Sequence, residues 1–281
     1  MRLSELVSKA LEEDVGPGDL TTDATVPAGR GGAAIIRAKQ DLVMCGSEAA
    51  AEVFSQLGAS YQALRADGEA VASGEELALV EGPLRSLLTG ERVALNFLMR
   101  LCGIASHTRR VIQAAPGLRV LDTRKTTPLH RALERRAVRI GGGGNHRFAL
   151  YDGVLIKENH IIAAGGIAVA VASARASAHH LLRIQVEVEQ LDQIDEAMEA
   201  GADALLLDNM DDPTLVQAVA RARGLALRRG APVLLEASGN MRAERLPGVA
   251  AAGVDLVSMG GLIHQAPWAD LSMRIVAAQT R

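Results

Sequence analysis

The first hundred residues combine helical hydrophobic spacing with short apolar runs. Leu3, Leu6, Val7 and Leu11 recur at helical spacing with acidic residues between them, which predicts an amphipathic N-terminal helix rather than a cleaved leader. Apolar runs bounded by Gly, Asp and Ser predict strands, and longer periodic stretches predict helices. Together they predict an α+β unit, with strands at 33–38, 42–45 and 77–80 and helices at 47–57, 89–101 and 105–115.

The pattern changes after this unit, because short apolar strands then alternate with helical stretches. Such alternation implies parallel βα units. Six strands are fewer than the eight of a complete (β/α)8 barrel, so we expect an incomplete or irregular α/β barrel, with an open doubly wound sheet as the alternative. No nucleotide-binding fingerprint of the G-x-G-x-x-G or G-x-x-x-x-G-K-[ST] type is present. The predicted strands are 119–122, 153–156, 184–188, 204–207, 233–235 and 254–258.

Charge is unevenly distributed along the chain. The 281 residues carry a net charge of −3, and only 2% are aromatic, which argues against a surface that stacks single-stranded nucleic acid. Residues 119–157 contain nine basic and three acidic side chains, a local charge of +6 that leaves −9 for the remainder. This concentration favours a site for a small, highly charged anion. We expect neither nucleic acid nor a membrane as a partner.

Polar residues follow each predicted barrel strand, where α/β barrels carry their functional groups. Arg124, Lys125, Arg147 and Lys157 are cations suited to carboxylates and phosphates. Two carboxylates could hold Mg²⁺, and small-residue turns could cradle a phosphate. We therefore expect a multiply anionic ligand with at least one phosphate and a metal, with Glu187 and Asp208 as metal ligands.

Several of these residues also have an ordinary structural interpretation. The run Gly141–Gly144 could be a flexible loop, and His160 could be a hydrogen-bonded histidine without a catalytic role. The charged residues of 131–139 have helical spacing, so some of them should form a solvated face. No H-E-x-x-H or C-x-x-C spacing supports zinc. Cys45 and Cys102 form no motif, which favours free buried thiols in a reducing cytosol and a cytoplasmic location.

Nine segments, spread almost end to end, carry a resemblance to a known family. The chain resembles the quinolinate phosphoribosyltransferases, also called carboxylating nicotinate-nucleotide pyrophosphorylases. The segments are LEEDVGPGDLTT, GERVALNFL, DTRKTTP, AVRIGGGGNHR, YDGVLIKENHI, VEVE, LLLDNM, LLEASGN and GVDLVSMGGLIH.

The resemblance implies a reaction and a fold. The family converts quinolinate and phosphoribosyl diphosphate, with Mg²⁺, to nicotinate mononucleotide, pyrophosphate and CO₂ in de novo NAD biosynthesis. Its type II phosphoribosyltransferase fold joins an N-terminal α/β sandwich domain to an incomplete, TIM-like α/β barrel. By analogy we expect the sandwich at 1–104, the barrel at 105–267, and a C-terminal helix at 268–281 that returns to the first domain.

The resemblance also assigns roles to individual residues. Catalytic roles fall on Lys125, Lys157, Glu187 and Asp208. By analogy, Arg92 reaches the site of a neighbouring subunit, which implies a homodimer or a higher oligomer. The residues expected to bind substrate are Arg92, Thr123, Arg124, Lys125, His146, Arg147, Lys157, Glu187, Asp208, Ser238, Gly239, Asn240, Gly260, Gly261 and His264.

This chain departs from the family pattern at three places. Leu129-His130 follows the TTP segment where a glycine is usual, Arg135-Arg136 replaces a common lysine and tyrosine, and Gln185 replaces a frequent acid. We expect Gln185 to lower the negative charge near the metal. Three rivals stay open: a nicotinate phosphoribosyltransferase, a barrel aldolase or isomerase, and a non-enzymatic relative associated with molybdate transport.

Overall fold

The computed structural model describes residues 1–278, in which helices and strands alternate along most of the chain. The helices are α1 Leu3–Val15, α2 Leu20–Thr25, α3 Ser47–Gln56, α4 Leu84–Gln113, α5 Arg131–Ile140, α6 Glu158–Ala164, α7 Ile167–Ser177, α8 Leu191–Glu199, α9 Asp212–Arg229, α10 Leu246–Ala251 and α11 Gly261–His264. The strands are β1 Gly31–Ala38, β2 Leu42–Val43, β3 Ser60–Ala63, β4 Ala70–Val71, β5 Glu76–Pro83, β6 Arg119–Leu121, β7 Val154–Ile156, β8 Ile184–Val188, β9 Ala204–Asp208, β10 Leu234–Ser238, β11 Leu256–Ser258 and β12 Leu271–Ala278.

The chain divides into two compact units. The first contains 1–109, 126–142 and the chain from Gln265 onward, and the second contains 110–125 and 143–264. The expected boundaries at 104/105 and 267/268 differ from this division, chiefly because 126–142 belongs to the first unit. Glu134 of α5 explains that placement. Its buried carboxylate accepts hydrogen bonds from Arg100 Nη2 of α4 at 2.7 Å and from Thr127 N at 2.8 Å.

The first unit is built on an antiparallel sheet of strand order β12-β1-β5-β3. The predicted N-terminal helix is confirmed as α1, whose buried Leu6, Val7 and Leu11 pack toward α3. The two helices expected at 89–101 and 105–115 are instead one continuous helix, α4. Gly103 lies within this helix and does not interrupt it. Its missing side chain leaves room for Pro267. A Cβ there would lie 2.1 Å from the carbonyl oxygen of Pro267.

The C-terminal segment returns to the first unit as a strand, so the helix expected at 268–281 was wrong. Strand β12 pairs antiparallel with β1, with Leu271 opposite Ala38 and Met273 opposite Ile36. Leu271 and Met273 are buried while Arg274 is exposed, which is the two-residue alternation of a strand. Residues 279–281, the end of the predicted helix, lie outside the described residues.

The second unit is a parallel sheet of strand order β6-β11-β10-β9-β8-β7. Consecutive strands are neighbours from β7 to β11, and β6 then pairs with β11, so the order lacks the reversal of a doubly wound sheet. Within the described residues, β6 and β7 form the two open ends. All six predicted barrel strands are confirmed, and the incomplete barrel is the architecture observed.

Two other sequence features have clear positions in the fold. Cys45 and Cys102 are buried free thiols, as expected. Within residues 1–278, no single helix is both long and apolar enough to cross a bilayer. The pair α6 and α7 meets the requirements of length and composition only when taken together, and it bends by 91° at its break.

Leu129, one of the departures from the family pattern, has a strained backbone. Its φ of 68° lies in the left-handed region. This conformation destabilises a leucine by about 1–2 kcal/mol, whereas glycine adopts it without strain. The side chain is 70% exposed, so little burial offsets this cost. The usual glycine of the family therefore suits this backbone better than the leucine of this chain.

Replacing Leu129 by glycine should accordingly relieve strain. The matched control is Leu181→Gly, because Leu181 is similarly exposed and does not have a positive φ. Both variants gain the same freedom in the unfolded chain. In urea unfolding, Leu129→Gly should therefore be about 1–2 kcal/mol more stable than Leu181→Gly, each relative to the wild type. Equal losses in both variants would contradict the interpretation.

Candidate active site

The carboxyl ends of the parallel strands bring polar side chains together within the second unit. In the register of the sheet, Glu187 of β8 and Glu236 of β10 both lie opposite Leu206 of the central strand β9. Asp208 of β9 lies opposite Ser238 of β10. Because side chains alternate between the faces of a strand, all of these residues share one face. The intervening residues of β8 are fully buried on the other face. The polar face therefore lies inside the barrel.

Four predicted catalytic residues form one charged group at this end. Lys157, which follows β7, makes an ion pair with Glu187. Burial raises the pKa of Asp208, and the nearby charge of Glu187 raises it further, while Lys157 and Lys125 act in the opposite direction. The structure thus brings Lys125, Lys157, Glu187 and Asp208 into electrostatic contact. Asn209 Nδ2 also donates a hydrogen bond to Asp208 Oδ2 at 2.7 Å.

Two arginines lie close enough to repel each other. Burial lowers the pKa of Arg147, and the positive charge of Arg124 lowers it further. Arg147 Nη1 donates to the carbonyl oxygen of Gly153 at 2.8 Å. Among the residues that the structure describes, none accepts a hydrogen bond from the buried Nε of Arg124. Two repelling, partly desolvated guanidinium groups are an arrangement that an anion would stabilise.

The segment before Arg147 is held by a buried carboxylate. Asp122 directly follows β6 and is fully buried; it accepts hydrogen bonds from Asn145 Nδ2 at 2.6 Å and His146 N at 2.9 Å. Gly144 packs against β6, since a Cβ there would lie 2.5 Å from Leu121 Cδ2. At least one glycine of the run Gly141–Gly144 is therefore required for close packing rather than for flexibility.

Small residues line the opposite part of the site. Gly239 has a φ of 85°, and a Cβ there would lie 2.2 Å from Asn209 Oδ1. Asn209 and Asn240 also have positive φ values, and Asn240 Nδ2 donates to Asn209 Oδ1 at 3.2 Å. A Cβ on Gly260 would lie 2.9 Å from Lys125 Cδ and 3.1 Å from His264 Nε2. The backbone turns at 238–240 and 260–261 are therefore tightly packed.

The remaining predicted residues have different surroundings. Thr123 Oγ1 accepts a hydrogen bond from Lys125 N at 3.1 Å. His160 Nδ1 accepts from Lys157 N at 3.0 Å, which favours the ordinary interpretation of His160 as a helix-capping residue of α6. Arg92 is exposed on α4, in the first unit.

Three polar residues of the second unit make contacts that the sequence did not indicate. Asp122 and Glu236 were visible only as acids on apolar strands, and Gln185 only as a departure from the family pattern. Gln185 Nε2 donates to Glu236 Oε2 at 2.9 Å. Gln185 therefore hydrogen-bonds to an interior carboxylate, a contact that its position in the sequence did not indicate. A charged residue inside an apolar strand was the signal available.

A cavity of about 390 Å³ adjoins Arg147 beside β7. Its wall includes Leu155 of β7, Ala170 and Ala174 of α7, and His160. Within residues 1–278, no group of three or more His, Cys, Asp or Glu side chains is arranged to hold a metal ion. Any metal at Glu187 and Asp208 would thus take most of its ligands from substrate and water.

Comparison with known proteins matches almost the whole chain to one family. Residues 19–102 match the quinolinate phosphoribosyl transferase N-terminal domain, and residues 104–274 match its C-terminal domain. The chain belongs to the quinolinate phosphoribosyltransferase family. Its activity is that of a carboxylating nicotinate-nucleotide pyrophosphorylase, EC 2.4.2.19, in NAD biosynthesis. The resemblance first indicated by the nine segments is confirmed.

Individual relatives support the match over more than nine-tenths of their own lengths. A Bacillus subtilis relative is 40% identical over 279 residues, covering 98% of this chain and 94% of that protein. The human nicotinate-nucleotide pyrophosphorylase (carboxylating) is 36% identical, covering 99% and 93%. The solved structure of the nicotinate-nucleotide pyrophosphorylase from Francisella tularensis superimposes with a TM-score of 0.89 at 36% identity, covering 98% and 96%.

Proposed function

We propose that the cations at the barrel mouth, Arg124, Arg147 and Lys157, bind the two carboxylates of quinolinate, with His146 bordering the same pocket. The observation that carries this proposal is the electrostatic repulsion between Arg124 and Arg147, together with the buried Nε of Arg124, which no described residue satisfies. Burial and mutual repulsion lower the pKa of Arg147, and within the described residues Arg124 Nε has no acceptor. A dicarboxylate would supply the missing acceptors and offset the repulsion. Thr123, beside Lys125, would border the same pocket.

The donor phosphoribosyl diphosphate would bind across the other strand ends. The turns Ser238-Gly239-Asn240 and Gly260-Gly261 offer backbone N–H groups to the ribose 5-phosphate, with His264 beside Gly260. Lys125 packs against Gly260 and acts electrostatically on Asp208, so it lies between the phosphate turns and the carboxylates. This position suits a lysine that stabilises charge on the departing pyrophosphate.

Glu187 and Asp208 fit a magnesium ion that arrives with the donor. Mg²⁺ commonly takes one or two carboxylates from a protein and completes its shell with phosphate oxygens and water. Burial and the nearby charge of Glu187 both raise the pKa of Asp208, and a cation held by these carboxylates would offset the repulsion between them. When bound, the ion would neutralise charge on the diphosphate. The same carboxylates could accept hydrogen bonds from the ribose hydroxyls.

The chemistry then needs positioning and charge stabilisation more than a nucleophilic side chain. The arginines hold the pyridine nitrogen of quinolinate toward the ribose carbon, and Lys125 and Lys157 stabilise the charge of the leaving pyrophosphate. The nitrogen captures the oxocarbenium-like ribose carbon and becomes cationic. The bond between ring carbon C2 and its carboxylate then breaks and CO₂ leaves. The electron pair stays on C2, stabilised by the adjacent cationic nitrogen, and a proton from solvent takes the place of the carboxylate.

The direct test of this function is product formation. Purified protein with quinolinate, phosphoribosyl diphosphate and Mg²⁺ should form nicotinate mononucleotide, detected by mass, and should release CO₂ from carboxyl-labelled quinolinate. Turnover of nicotinate without CO₂ would instead indicate a nicotinate phosphoribosyltransferase. Folded protein that fails to bind quinolinate would favour the transport-associated relative. A borohydride-trapped adduct at Lys157 would favour the aldolase alternative.

We further propose a homodimer in which Arg92 completes the neighbouring site. Its support is the exposure of Arg92 on α4 and the family resemblance of the GERVALNFL segment. Arg92→Ala and Lys157→Ala should each lose nearly all activity when assayed alone. After mixing and random subunit exchange, about a quarter of the sites should be intact, since a symmetric dimer would then hold one complete site in each heterodimer. No recovery despite verified exchange would refute a shared site.

A further inference from the structure

Glu236 is a buried carboxylate that none of the contacts proposed above uses. It lies in the middle of β10, is 2% exposed, and pairs in register with Leu206 and Leu256. An ionised carboxylate in such a place is costly unless it is paired and hydrogen-bonded. The groups around it therefore determine what it does.

Only one oxygen of Glu236 makes a hydrogen bond within the described residues, because the buried Oε1 has no hydrogen-bond partner there. Gln185 Nε2 donates to Oε2 at 2.9 Å, and His146 Nε2 lies 3.4 Å from Oε1. Burial raises the pKa of Glu236, but the nearby His146 ring, together with hydrogen bonds from Ser258 and Gln185, outweighs this effect and lowers the pKa below the ordinary value. Glu236 is thus an anion aimed at the ring of His146.

The other side of the His146 ring is fixed as well. Its Nδ1 accepts a hydrogen bond from Arg147 N at 2.8 Å, so this nitrogen carries no hydrogen. The hydrogen of the neutral ring is consequently on Nε2, the nitrogen that faces Glu236. The ring connects the interior carboxylate to the backbone of Arg147, and the side chain of Arg147 is itself fixed to Gly153.

We propose that Glu236 is a positioning residue: it holds His146 in the Nε2–H form and, through that ring, sets the backbone of Arg147. The proposal rests on the function proposed above for Arg147 as an anchor for a quinolinate carboxylate. Gln185 supports the arrangement because it satisfies Oε2 with a neutral donor. Oε1 is then directed to the Nε2–H of His146.

The distance of 3.4 Å between His146 Nε2 and Glu236 Oε1 is longer than that of a strong hydrogen bond. Hydrogen bonds in active sites can tighten when substrate binds. A quinolinate carboxylate that pulls on Arg147 would act on the same ring. Loss of Glu236 would free Nε2–H, allow the hydrogen to move to Nδ1, and so break the bond from Arg147 N.

The test compares two substitutions of Glu236 by histidine ¹⁵N NMR and by steady-state kinetics. The wild-type signals that are missing from the spectrum of His146→Gln belong to His146. These signals should show a pyridine-type Nδ1 and a pyrrole-type Nε2. Glu236→Leu should lose this pattern and raise KM for quinolinate by about 10- to 100-fold, with KM for phosphoribosyl diphosphate changed much less. Glu236→Gln keeps an acceptor for Nε2–H and should retain the pattern, with KM within about threefold.

Glu134→Leu is the matched control, since it also removes a fully buried carboxylate but in the first unit. It should lower the free energy of unfolding without altering the His146 signals. A wild-type ring with its hydrogen on Nδ1 would overturn the proposal, even where Glu236→Leu does not fold. So would a Glu236→Leu protein with an unchanged ring and unchanged KM. Wild-type protein that does not turn over quinolinate would overturn the proposed function instead. The NMR result would still show which nitrogen of the His146 ring carries the hydrogen.

Discussion

Replacing Lys157 by alanine should lower kcat/KM for quinolinate by about 100- to 1000-fold, the range typical of losing one preorganised charge-stabilising group. Lys157 is the cation paired with Glu187, and its charge also acts on Asp208. Its removal leaves two carboxylates facing each other and removes a positive charge from the place where the substrates carry most negative charge. Steady-state kinetics with quinolinate and donor varied separately measures the effect.

The structure offers reasons why this substitution should not simply unfold the protein. The contact that caps α6 uses the backbone N–H of Lys157, which donates to His160 Nδ1 and is retained in alanine. The side chain is 47% exposed, so little apolar burial is lost. Lys9→Ala, at an exposed position of α1, is the matched control and should keep wild-type kinetics. A loss of less than tenfold in Lys157→Ala would contradict the proposed role.

The barrel could be predicted from the sequence because its physics is local. Strands buried on both faces need continuous apolar runs, and functional groups must follow them, so Asp208 after Leu205–Leu207 was recognisable without a structure. The structure bears out the positions of these strands. It also brings Lys125, Lys157, Glu187 and Asp208 together, although their roles in catalysis stay a prediction.

Other elements depend on contacts between distant parts of the chain. The end of the chain was predicted as a helix by analogy, but pairing with β1 makes it a strand. Two separate helices were expected at 89–101 and 105–115, but one helix runs through Gly103, which packs against Pro267. The segment 126–142 follows a barrel strand in sequence, yet the ion pair between Glu134 and Arg100 ties it to α4. Such partners lie tens of residues apart, where periodicity carries no information.

The interior network shows the same difficulty at the site itself. Gln185 was expected only to reduce negative charge near the metal, because β8 places it one residue from Val186 and two from Glu187. In the structure its amide donates to Glu236, two strands away in the sheet. The sequence could show that both side chains are polar and lie inside strands. Which of them meet depends on the curvature of the sheet.

Substituting Gly239 by alanine should damage the site more than its small size suggests. A φ of 85° already costs an alanine about 1–2 kcal/mol. In addition, the new Cβ would lie 2.2 Å from Asn209 Oδ1 and 2.7 Å from Asn209 N, and the backbone atom cannot rotate away. Relief requires a shift of Asn209 and thereby of Asp208, to which it is covalently joined and hydrogen-bonded. We expect KM for phosphoribosyl diphosphate to rise by tenfold or more, since misplacement by about 1 Å can cost roughly 100-fold.

Gly165→Ala separates the steric clash from the backbone strain. Gly165 has a φ of 90° at the end of α6, and nothing lies within 4 Å of the position its Cβ would take. Both variants therefore incur the left-handed strain, but only Gly239→Ala adds overpacking of about 1–3 kcal/mol. Urea unfolding should show that extra loss, and kinetics should show a raised donor KM in Gly239→Ala alone. Equal stability losses and unchanged donor KM in both would mean that the turn at 238–240 yields without moving Asp208, and that its glycine serves the backbone conformation only.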